Sequence, residues 1–117
     1  MINRSAITVR ARQPFLDWLL KLPDPTGTKT TLEEINEDRT VYLLPEYDHD
    51  DEREDLLAHF FDMIFESQLE AWWTDDAQWP LVRDLKTFKE WFEVEHHSII
   101  EDLAAEPLTD DDDLADE

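Results

Sequence analysis

The chain has 117 residues, with 31 acidic and 10 basic side chains, a formal net charge of -21 and 13 aromatics. A disordered acidic chain lacks apolar surface to offset its ordering entropy, whereas this one is 41% hydrophobic, so the acid overlies a core. The absence of Cys excludes thiolate metal sites, Cys nucleophiles and disulfide frameworks, and fits a reducing, cytoplasmic setting.

In chain order, Ser5–Arg10 alternates, with Ile7 and Val9 on one face and Thr8 and Arg10 on the other, as in a half-buried strand. Pro14 suits a helix start, and Phe15, Trp18, Leu19 and Leu22 follow at helical spacing. Pro23-Asp24-Pro25-Thr26-Gly27 ends that helix in a turn. Thr31 and Glu34 match a capping box opening a short helix through Leu32, Ile35 and Asn36. Thr40–Leu44 is β-prone, stops at Pro45 and is apolar on both faces, which predicts a well-covered strand.

The longest helix is expected near Glu52–Trp73. Its inner face would hold Leu57, Phe60, Phe61, Ile64, Leu69 and Trp72, opposite a stripe of Asp55, His59, Asp62, Glu66 and Glu70. Asp84 caps a further helix with apolar side Leu85, Phe88 and Trp91. The stretch after Phe92 reads as a strand with Val94, His96, Ser98 and Ile100 inward, and Glu93, Glu95, His97 and Glu101 outward. The order is β-α-α-β-α-α-β, an α+β fold with helices packed on one face of a three-stranded sheet. If the first and last strands are neighbours, Arg4 and Arg10 would face the outer glutamates. Residues 1–105 are expected to form one domain. Residues 106–117, acidic and without amphipathic rhythm, are expected to form a disordered tail.

Enzyme motifs are weak throughout. Thr26–Thr30 lacks the second glycine of a phosphate-binding loop, since Gly27 is the only glycine, so no nucleotide cofactor is expected. Asp48–Glu52 begins like a calcium loop, but Arg53 stands where such a loop requires Gly. Asp55, His59, Asp62 and Glu66 offer nitrogen and oxygen ligands on one helix face, which makes them candidates for a metal site or a metal-dependent enzyme. The bland alternative is a solvated face. No Glu-x-x-His spacing supports the site, because Leu56 stands three residues before His59. His96 and His97 are adjacent, and on a strand they point to opposite faces.

Trp72–Pro80 is the most distinctive run. Trp73 and Trp79 rimmed by Asp75 and Asp76 have the composition of a partner-binding anchor. The competing and favoured expectation is that the loop folds back and covers both indoles. Strand order, capping and the run from Leu56 through Pro80 resemble the small uncharacterised acidic bacterial proteins. That resemblance spans roughly residues 5–108 and implies an α+β domain of unknown function, with no catalytic residue. Residues 31–117 carry a net charge of -24. Such a surface repels phosphate backbones, which argues against direct nucleic-acid binding. No apolar run approaches a membrane span. The leading expectation is therefore a non-enzymatic interaction domain for a basic or amphipathic protein partner. Metal binding through His59 is the alternative, and an acidic surface adapted to high salt is a third.

Overall fold

In the computed structural model, residues 1–23 and 30–109 are described. The elements are β1 (Arg4–Ala11), α1 (Gln13–Leu20), α2 (Leu32–Ile35), β2 (Val41–Pro45), α3 (Glu52–Glu70), α4 (Leu85–Trp91) and β3 (Phe92–His97). A 3-10 turn at Asp76–Gln78 separates α3 from α4. The result is an α+β fold around one three-stranded antiparallel sheet of order β2-β1-β3. Residues 24–27 of the expected turn, residues 26–29 of the Thr26–Thr30 loop and the last eight residues of the acidic tail lie outside the described residues.

β1 is central because its alternation supplies a buried row on the helix-covered face: Ser5, Ile7, Val9 and Ala11. The buried Ser5 hydroxyl is satisfied by donating to the Pro45 carbonyl at 2.8 Å. Ala6 belongs to the other face, yet it too is buried, with Leu43 and His97 as its partners across the two ladders. Asn36, at the end of α2, completes the sheet hydrogen bonding at Ala11. Its Oδ1 accepts from the Ala11 N–H at 2.8 Å and its Nδ2 donates to the Ala11 carbonyl at 3.2 Å. A side-chain amide thus fills the place a neighbouring peptide would take.

The helices pack on one face over an aromatic cluster. Phe92 lies 5.3 Å from Phe15, 5.7 Å from Phe65 and 5.2 Å from Phe88, measured between ring centroids. Those spacings suit tilted and edge-on aromatic pairs, which add to the stabilisation from burial alone. Trp18 and Trp91 extend the cluster. Phe65 was not among the expected inner residues of α3, yet it is fully buried beside Ile64. The buried arc of α3 is wide because the helix packs against both the sheet side and α4.

Both capping signals are realised, one of them in half. The Asp84 carboxylate accepts from the Thr87 N–H at 2.8 Å. Thr31 accepts from the Glu34 N–H at 3.2 Å, but Glu34 turns to the Thr30 hydroxyl instead of closing a reciprocal box.

Three expectations need correction. α3 stops at Glu70 rather than Trp73. β3 stops at His97, so Ser98 is exposed and not inward, although the Ile2 N–H still reaches the Ile100 carbonyl at 2.8 Å. Most consequentially, β2 is not well covered. Val41 is 58% exposed and Leu43 is 41% exposed, because β2 is an edge strand and among the described residues no helix lies over that face.

Candidate interaction surfaces

The long acidic helix is prepared by its own first residues. The Glu52 carboxylate turns back to accept from the N–H groups of Asp48 at 2.8 Å and His49 at 2.9 Å. Those two bonds, His49 foremost, lower its pKa below the ordinary glutamate value. Arg53 donates to the Tyr47 hydroxyl, lies over the Tyr47 ring and pairs with Asp50 at 3.6 Å. The Asp48–Glu52 segment is therefore organised as a helix entry, with its last carboxylate already engaged by backbone donors. Asp84 is likewise held below the ordinary aspartate value by its bonds to Thr87.

Asp55, His59, Asp62 and Glu66 all lie exposed along α3, and the His59 ring packs edge-on against Phe60. Among the described residues no three His, Asp or Glu side chains converge closely enough to hold a metal ion. His96 and His97 separate as strand geometry requires. His97 lies exposed, its Nε2 3.2 Å from the Thr8 hydroxyl. His96 is half-buried, and desolvation, aided by the Arg53 charge, lowers its pKa while Glu54 opposes the shift. β1 and β3 are neighbours, but Arg10 and Glu93 make no salt bridge across their register. Glu95 pairs instead with Arg39 at 2.6 Å, while Arg4 sits opposite Pro45 on the other ladder.

The Trp-rich loop is folded back on the body. The Trp79 Nε1 donates to the Trp73 carbonyl at 2.8 Å, and Trp18 donates to the Gln78 carbonyl at 2.9 Å. Asp75 accepts from the Ala77 N–H and so caps the 3-10 turn, while Asp76 is exposed. Arg83 lies over the Trp79 ring. Of the two adjacent indoles, Trp72 departs from its expected inner placement, whereas Trp73 is covered as the folded-back loop requires. Trp72 is 41% exposed, whereas Trp73 is half-buried with its Nε1 shielded and unpartnered. Helical periodicity cannot be carried past Glu70, because the chain leaves the helix there. Of the four residues singled out in this run, Asp75 and Asp76 remain exposed and the two indoles are half-covered.

A different surface stands open at β2. A cavity of about 390 Å³ is lined by Val41, Tyr42, Leu43 and Leu44 on the strand and by Phe60, Met63, Ile64 and Ser67 on α3. Four consecutive strand residues, from both strand faces, line it. The cavity therefore abuts the edge of β2, and because β1 pairs on the other side this is the free edge. An adjoining hollow of about 470 Å³ shares Leu43, Leu44 and Phe60 and continues past Pro45 to Arg4 and Glu46. The floor is fixed by Tyr42, whose hydroxyl donates to the Ser67 hydroxyl at 3.0 Å and accepts from Gln68 at 2.7 Å. Met63, 64% exposed, forms the helix-side lip. At helical spacing it is flanked by His59 and Glu66. α3 carries six acidic residues and one basic one.

Sequence reasoning missed this groove because it depends on which strand ends at the sheet edge. The available signal was Val41-Tyr42-Leu43-Leu44 itself, apolar on both faces and without charge. Comparison with protein-family models, curated proteins and solved structures finds no significant match to this chain. Among the described residues no helix is long and apolar enough to cross a membrane.

Proposed function

We propose that this chain is a non-enzymatic interaction domain that engages a basic, amphipathic segment of another protein. The observation that carries the reading is the exposed apolar strip of Val41, Leu43 and Met63 beside the acidic row of α3. Isolated exposed apolar residues need no explanation, but a continuous groove rimmed by charge is the usual form of a docking surface. Its apolar floor suits burial of a partner's aliphatic side chains, and the acidic flank suits their cationic neighbours. A net charge of -21 disfavours nucleic acid and attracts a positively charged protein. Action in a reducing, cytoplasmic compartment belongs to the same proposal and is supported by the lack of cysteine.

The test is a titration with synthetic cationic amphipathic peptides, in both extended and helical designs, followed by calorimetry at low and high salt. Binding at low salt that weakens as salt screens the charges supports the reading. Absence of binding by every such peptide at low salt overturns it.

A further inference from the structure

We infer that the free edge of β2 takes up an extended cationic segment as a fourth strand, β2 supplying the ladder and α3 the pocket wall. This inference rests on the interaction reading above and adds to it the conformation of the ligand.

An edge strand presents unpaired backbone N–H and C=O groups along its outer side, a template for another chain. Natural edges are often blunted by charged side chains, but Val41–Leu44 carries none, and Pro45 limits the ladder only at its end. Tyr42 is tied to α3 by its hydroxyl, so the strand is held in place without its outer edge being covered among the described residues. An added strand would alternate its side chains between two environments. One set would enter the hollow bordered by Phe60, Met63 and Ile64. The other would lie beside Val41 and Leu43 on the open face of the sheet. The length of β2 matches a partner segment of about five residues.

Charge selects the occupant. A second copy of this chain would bring another net charge of -21 against the first and set two acidic α3 helices near one another. A segment with Lys or Arg between aliphatic residues is instead drawn to the net charge of -21 while its apolar side chains fill the hollow. Backbone pairing supplies affinity, and the alternate pockets supply selectivity, as in other strand-addition complexes.

The experiment uses the full chain and a nine-residue peptide alternating Lys with Val. Two further probes are the same peptide N-methylated at alternate amides, in both registers, and a peptide of equal charge with Leu at helical spacing. The expected result is binding of the alternating peptide, weakened at least tenfold by N-methylation in one register. Leu43→Lys or Met63→Lys should each weaken it at least fivefold. Equal binding of both N-methylated forms, or preference for the helical peptide, would overturn strand addition while leaving the interaction reading intact. Failure of all the peptides to bind at low salt would defeat both. Concentration-dependent dimerisation that the peptide cannot displace, with Leu43→Lys restoring the monomer, would overturn the inference in favour of self-pairing.

Discussion

The two ends of the sheet are finished in opposite ways. On the β3 side, Phe92 opens the strand inside a nest of Phe15, Phe65 and Phe88, with Trp18 and Trp91 outside them. Helices α1, α3 and α4 converge there, and the Trp loop is hydrogen-bonded back onto the body. On the β2 side the helix residues lining the cavity come from one flank of α3, and Val41, Leu43 and Met63 are left exposed. Both regions are rich in apolar residues. What separates them is coverage, and coverage rather than composition distinguishes a core from a docking surface.

The comparison is broken most severely by emptying the covered side. Phe65→Ala removes a ring with no exposed surface and should cost about 3–5 kcal/mol in a urea-unfolding experiment, a large part of the stability of a small domain. A cost below 1 kcal/mol would show that the aromatic cluster is not the core. Asn36→Ala should follow at about 1–3 kcal/mol, because it strips both the N–H and the carbonyl of Ala11 of their partners. Hydrogen exchange at the Ala11 amide should accelerate in that variant.

His96 offers a pH-dependent probe of the helix-covered face. Its folded pKa lies below the ordinary value of about 6.5. The unfolded chain therefore binds a proton more readily than the native one, and this residue's contribution falls as pH drops through that value toward the folded pKa. His96→Gln should flatten the decline in stability measured between pH 7 and pH 5, relative to the unsubstituted chain. An unchanged slope would show that His96 does not sense burial.

The smallest effect is expected on the open side of the comparison. Leu43→Lys and Met63→Lys should each change stability by no more than about 0.5 kcal/mol, since surface substitutions remove little packing. A loss above 2 kcal/mol at either position would place it in the core and remove the contrast between the two sides.

Much of this architecture was legible locally. Alternation marked β1, Pro14 and Phe15 marked α1, and Thr31 and Asp84 marked helix starts, because each signal acts within a few residues. The readings that failed depend on distant partners. Thr40–Leu44 has the pattern of a covered strand, and only the order β2-β1-β3 leaves it at an edge. Phe65 falls outside the expected inner residues of α3, and its position becomes interior because α4 and Phe92 of β3 pack against it. Trp72 left the inner face expected for it because α3 ends before it. The metal candidates on α3 occupy successive turns as expected, but no second element brings ligands to them among the described residues.

The central claim, that the β2 edge and not the Trp loop is the docking surface, is tested most directly by amide chemical-shift mapping. The ¹⁵N-labelled chain would be titrated with the alternating Lys-Val peptide at low salt. The largest perturbations are expected on Val41–Leu44 and on α3 around Phe60 and Met63, with Trp73–Trp79 little changed. Perturbations centred on Trp72–Trp79, with Val41–Leu44 unmoved, would contradict it.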